Sequence, residues 1–174
     1  MSHDFSVLNL VDTAFAVMLY SLPEEVGVPR ARSSAMVQME VKGVQISSKA
    51  YHRVVLKEKD GEAYLHIVIG PNEARAISLA HNDQSPARPL SYDLACSLLE
   101  EAEASISRVT ITDLHEGIYY AEVHLENADG TTVNVDSRPS DAIALAVRTD
   151  APIFAAKSVL DEEGSTDLEE EEEV

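Results

Sequence analysis

The chain has 174 residues, enough for one domain with a buried core, and its single cysteine excludes a disulfide framework and any thiolate metal cluster. A formal charge of -18 argues against a basic surface that grips duplex nucleic acid. Nine of the 31 acids lie between Asp161 and Val174, yet the rest of the chain still holds more acids than the 13 Lys and Arg residues.

FSVLNLVDTAFAVMLY is interrupted by Asp12, lacks a preceding Lys or Arg and falls short of the roughly 20 apolar residues that a span needs. No membrane helix or signal peptide is expected, and a cytoplasmic location follows. SLPEEVGVPRARSSA reads as linker, so residues 1–35 form an N-terminal extension before a domain over 36–164. Val37, Met39 and Val41 alternate with polar residues until Gly43, after which Val44 and Ile46 continue on the shifted phase; a bulged strand is expected. YHRVVLKEKDGEAYLHIVIG reads as a hairpin turning at Asp60-Gly61. Gly70-Pro71 ends it, with Pro71 well placed at the first position of a short helix.

After the loop QSPARP, Ser91 is expected to cap a helix to about Glu103 with Leu94, Leu98, Leu99 and Ala102 on its inner face. Cys96, on that helix, reads as a small buried hydrophobe. VTITDL and IYYAEVHL form a hairpin around His115-Glu116-Gly117, and Ala128-Asp129-Gly130 turns the chain into TVNVD. RPSDAIALAVRTD is the third helix, with Ala142, Ile143, Ala146 and Val147 inward; APIFAA adds a strand and KSVLDEE a helical turn. Residues 165–174, rich in Glu, read as an acidic disordered tail. Strands and helices are segregated without regular βαβ alternation, so the expected class is α+β, one domain with a mixed or antiparallel sheet and packed helices.

Phosphodiester hydrolysis needs a positioned water, compensation of phosphoryl charge and help for the leaving oxygen. Asp113 ends one strand, Asp136 ends another, and Asp141 lies in the first helical turn beside Arg138. If these strands end at a common edge, the three carboxylates share one site and suit Mg²⁺ or Mn²⁺. Arg138 at a helix N-terminus would take the phosphate, and Glu73 would face it from another wall. The same residues also admit structural roles: Asp136 and Asp141 as capping and dipole groups, Glu73 as dipole partner of its own helix, and Arg138 as ion-pair partner of Asp141 or Glu73. Asp113 falls in phase with Val109 and Ile111, so its carboxylate requires a partner or an open edge. His66 and His124 alternate with apolar strand neighbours, and no His-x-x-x-His spacing supports zinc.

Three phrases stand in order: IGPNEARAISLA, ARPLSYDL, and ITDLHEGIYYAEVHL followed by VDSRPSDAIALAVRTDAPIF. Together they resemble the bifunctional nuclease domain over about residues 37 to 163, and Arg-Pro-Ser-Asp-Ala after a Val-Asp strand end is their most specific part. The resemblance implies an α+β roll, a homo-oligomer, and action on RNA and single-stranded DNA. Many plant-type members carry a UVR-type helical hairpin after the domain; this chain is expected to lack that module. Two functions stand. One is a nuclease with Asp113, Asp136, Asp141, Arg138 and Glu73 as catalytic groups, the three Asp residues holding Mg²⁺ or Mn²⁺; the other is a non-catalytic oligomeric binding or regulatory module of the same fold.

Overall fold

The computed structural model describes residues 35–46 and 51–166. The apolar N-terminal stretch, the linker and the acidic run from Asp167 lie outside the described residues. The elements in chain order are β1 (Met36–Ile46), β2 (His52–Glu58), β3 (Tyr64–Ile69), α1 (Pro71–His81), α2 (Ser91–Glu101), β4 (Ala104–His115), β5 (Ile118–Asn127), β6 (Thr132–Ser137), α3 (Pro139–Thr149), β7 (Ile153–Ala156) and α4 (Lys157–Glu163). All seven strands belong to one sheet in the order β3-β2-β1-β7-β4-β5-β6. The two antiparallel meanders are joined by β7, which pairs antiparallel with β1 and parallel with β4. This is the expected α+β class, with the short last strand at the centre of the sheet.

One face of the sheet carries the core. Val54 and Leu56 of β2, Leu65 and Ile67 of β3, and Val109 and Ile111 of β4 meet Ile77 of α1 and Ile143 of α3. Small residues Ala142, Ala144 and Ala146 are buried along α3 and let that helix sit close to the sheet. At Ser165 the chain pairs with Tyr64 on the outer edge of β3.

The bulge expected in β1 is present between Val41 and Gly43, and Gly43 has a φ of 143°, which favours glycine. Strand β4 has two irregularities, between Ile106 and Arg108 and between Ile111 and Asp113, and the latter shifts the phase of its end. Before it, Ile111 pairs with Ala121 on the core face; after it, Asp113 pairs with Tyr120 and Leu114 pairs with Tyr119. Leu114 therefore takes the buried position, and Asp113 lies on the face of Thr110 and Glu122. Asp113 is thus not in phase with Val109 and Ile111, because one extra residue inverts every side chain beyond it.

Helix α2 also departs from expectation. Ser91 stands at the first helical position, Leu90 is the N-cap, and Asp93 Oδ2 accepts the Leu90 N–H at 2.6 Å. Leu94 and Leu98 are exposed, while Tyr92 and Leu99 pack on the core. The helix is fastened by polar contacts instead of a leucine face. Arg148, with 9% of its side chain exposed, donates from Nε to Asp93 Oδ1 at 2.6 Å, from Nη1 to Ala144 O at 2.8 Å and from Nη2 to Ala76 O at 3.1 Å. Its guanidinium also lies 5.4 Å from the centre of the Tyr92 ring. One side chain so ties α1, α2 and α3. Burial pushes the Cys96 thiol up, in keeping with a quiet, half-buried sulfur.

Removing this arginine leaves the Asp93 carboxylate without its cation and uncouples three helices. Arg148→Met is expected to cost about 3 kcal/mol in urea unfolding, against under about 1 kcal/mol for an exposed ion pair. The Arg148 guanidinium, then the Leu90 N–H, hold the Asp93 carboxyl below the usual carboxylate range. Its contribution is therefore present above the unfolded-state value near pH ~4 and is lost as pH falls through the lower folded value. The acid limb of the stability profile should flatten in Arg148→Met, and an unchanged limb would contradict this assignment.

Candidate functional site

Helices α1 and α3 start by the same local rule. Gly70-Pro71-Asn72-Glu73 and Arg138-Pro139-Ser140-Asp141 each place an extended residue at the N-cap, proline at the first helical position and an acid two positions later. Proline costs no hydrogen bond there, and the acid complements the positive end of the helix dipole. The two helices pack together, which brings their acids to one arginine. Arg138 Nε donates to Asp141 Oδ2 at 2.8 Å, and Nη2 donates to Asp141 Oδ1 at 3.0 Å and to Glu73 Oε1 at 3.3 Å. Nη1 takes part in none of these bonds.

Tyr92 completes the arrangement from α2, donating its hydroxyl to Asp141 Oδ1 at 2.6 Å. Burial, and then the hydrogen bond to Asp141, push the Tyr92 hydroxyl well above its ordinary range, so it remains a donor at neutral pH. Hydrogen bonding to Asp141, with Asp141 and Glu73 charges adding to it, raises Arg138 further above its already high value. Exposure is graded: Glu73 and Asp141 side chains are 19% and 27% exposed, whereas Arg138 is 68% exposed. The carboxylates form the wall, and the cation faces solvent.

Three of the five expected site residues, Glu73, Arg138 and Asp141, thus come together; Arg138, expected as the ion-pair partner of Asp141 or Glu73 in the structural reading, pairs with both. Asp113 and Asp136 do not join them. Asp113 Oδ1 accepts the Leu114 N–H at 2.9 Å, and its strand position lies on the sheet face turned from the helices. Asp136 pairs with Glu122 in the β5–β6 ladder and lies on that same far face, at the exposed edge of the sheet. The sheet separates both from Asp141. Among the described residues no group of three or more His, Cys, Asp or Glu side chains is placed to hold a metal ion. Asp113, Asp136 and Asp141 therefore do not fit as a shared Mg²⁺ or Mn²⁺ ligand set, and Asp141 already has both oxygens on Arg138.

Tyr92, Asp93 and Arg148 belong to the network but escape sequence reasoning. The only sequence signal is the Ser-Tyr-Asp start of α2, which repeats the acid-at-third-position rule of the other two helices. His124 is buried with Nε2 3.0 Å from Thr110 Oγ1, and burial followed by the Arg108 charge lowers its pKa, which makes it a satisfied core group. A hollow of about 450 Å³ lies elsewhere, lined by Asp83, Asp93, Arg148 and Asp150 near the C-terminal ends of α1 and α3. Its acids and the negative helix ends oppose an anion, so the exposed Arg138 is the better phosphate candidate.

An arginine shared by two helix starts, on a mixed sheet of the α+β class, is the polar cluster at the head of α1 and α3. The model of the bifunctional nuclease domain matches residues 54–167, and the chain belongs to that family. An uncharacterized protein of Mycobacterium tuberculosis is 34% identical over 149 residues, covering 79% of this chain and 88% of its own length. Bifunctional nuclease 2 of Arabidopsis thaliana is 34% identical over 109 residues, 60% of this chain and 32% of the plant protein. Bifunctional nuclease 1 of Oryza sativa is 28% identical over 109 residues, 61% of this chain and 33% of its own length. The chain thus spans about a third of those two plant relatives.

Gly70 gives a direct probe of the site. Its backbone is extended and open to any residue, but a Cβ there would strike Glu73 Oε2, which folds back over it. Gly70→Ala is expected to leave the unfolding free energy within about 1 kcal/mol while displacing the Glu73 carboxylate from Arg138. The ¹³C signal of the Glu73 carboxyl reads that displacement, and an unshifted signal would show that the side chain is held elsewhere.

Proposed function

We propose that this chain hydrolyses phosphodiester bonds in RNA and single-stranded DNA, with the phosphate lodged against Arg138 where α1 and α3 begin. The observation that carries the reading is the meeting of Glu73 with Arg138 and Asp141 across 65 residues of sequence, with the guanidinium left largely in solvent. Family membership supports the reaction class, and the resemblance supplies the single-stranded substrate. Among the described residues no helix is long and apolar enough to cross a membrane.

The site's own groups divide the work. Arg138 Nη1, with the N–H groups of two helix starts, offsets charge on the phosphoryl oxygens. Asp141, gripped by Arg138 and Tyr92, keeps the guanidinium fork in one orientation. The Glu73 carboxylate, held beside Arg138, accepts the proton of the attacking water. Water oxygen bonds to phosphorus as the sugar oxygen leaves and takes a proton from solvent.

A second reading, a non-catalytic oligomeric binding or regulatory module, is favoured by one observation: the two acids outweigh the one arginine, so the cluster keeps net negative charge. Labelled single-stranded RNA and DNA, incubated with full-length protein in EDTA and with Mg²⁺ or Mn²⁺, separate the two. Arg138→Gln and Glu73→Gln are each expected to lower kcat/KM by about 10²–10³-fold, with Asp113→Asn and Asp136→Asn unchanged. Cleavage that survives Arg138→Gln would overturn this placement, and folded wild-type protein without cleavage in any condition would favour the binding module.

A further inference from the structure

We infer that a trough across the C-terminal ends of α1 and α3 is a docking groove for a basic, extended segment of a partner protein. The inference goes beyond the nuclease reading and stands on different residues. Two hollows, of about 450 Å³ and about 470 Å³, share Ala80, Asp83, Val147 and Asp150 in their walls and so adjoin. The first continues to Pro86 and Pro89 in the loop before α2, and the second to Met39 of β1 and Ile153 of β7. Met39 and Ile153 are buried core residues, so the second hollow reaches the margin of the core and has an apolar floor.

Charge commits the trough to a cationic partner. Asp83 and Asp150 are exposed at its rim, and among the described residues neither carboxylate is in an ion pair. Asp150 is the C-cap of α3 with a φ of 54°, and Asp83, with a φ of 53°, comes just beyond α1. Glycine suits that left-handed backbone, and a cation suits a helix C-terminus, where unpaired carbonyls gather negative charge. Both positions hold an acid instead. Arg148, the one arginine in these walls, does not offset them: its Nε is on Asp93, and its Nη1 and Nη2 are on the Ala144 and Ala76 carbonyls.

An apolar floor under an acidic rim selects the shape of that partner. Among the described residues no three acids gather to hold a metal ion, so the complementary charge is spread along the trough. Lys and Arg lay their methylene stems on apolar surface while their charged heads reach outward to acids. In an extended segment alternate residues point to opposite sides, so apolar side chains fill the floor while basic ones meet Asp83 and Asp150.

A fluorescein-labelled peptide of roughly eight residues alternating Arg and Val, added to the full-length protein and read by anisotropy, tests this, with alternating Glu and Val as control. The basic peptide should bind with Kd of about 1–100 µM, more weakly as salt rises, and the acidic one should not bind. Asp83→Asn combined with Asp150→Asn keeps residues that tolerate the left-handed backbone and should weaken binding about tenfold or more. Ala80→Phe fills the part common to both hollows without changing charge, and should weaken it as much. Circular dichroism confirms that the variants fold. In ¹⁵N-labelled protein the amides of Ala80, Val147 and Asp150 should shift and saturate with the peptide. Shifts confined to the acid-rich residues 167–173, no binding up to about 500 µM, or binding indifferent to either variant would overturn the proposal. So would spermine moving the same amides as tightly as the peptide, since the trough would then read charge alone. Amides that move with protein concentration alone would place a second copy there and overturn it too.

Discussion

The guanidinium of Arg138 lies between an acid of its own helix and an acid of the neighbouring helix, and the meaning of this surface depends on that sharing. Had Asp141 alone held it, the pair would be an ordinary turn-one ion pair of small energetic weight. Glu73 makes it a junction between two helix dipoles that point their positive ends at the same place. Arg148 supports the junction from the other end of α3, fixing α2 so that Tyr92 reaches Asp141. Helix α3 thus carries a buried arginine that builds the scaffold and an exposed arginine that the scaffold presents.

The sheet acts as a partition. Asp113 and Asp136 lie on strands whose ends are near α3 in sequence, yet their side chains belong to the face that the helices do not cover. Asp113, Asp136 and Asp141 therefore do not gather into one carboxylate cluster among the described residues. What remains on the helix face is one arginine held by two carboxylates, the arrangement on which the proposed charge compensation and proton acceptance rest.

Much of the fold was legible because its signals are local. Gly43 marked a bulge, Gly70-Pro71 and Arg138-Pro139 marked helix starts, and alternation marked the strands. The insertion of β7 between β1 and β4 was not legible, since four apolar residues carry no information about their neighbours. The phase of Asp113 was misread for a sharper reason: the bulge after Ile111 involves Thr112, with no glycine to announce it. Helix α2 misled through its leucines, whose spacing suits an inner face, while its attachment resides in Tyr92 and Asp93. The candidate site was half visible, in that Glu73, Arg138 and Asp141 follow from helix-start rules, and only tertiary packing could add Tyr92 and remove Asp113 and Asp136.

The claim that Arg138 receives the phosphate is tested most directly by its own side chain. In ¹⁵N-labelled full-length protein titrated with a short single-stranded DNA in EDTA, the Arg138 Nε–Hε signal should shift and saturate together with the amides of Asn72 and Ser140, while those of Asp113 and Asp136 stay in place. Saturating shifts at another surface with the Arg138 signal unmoved would contradict the account.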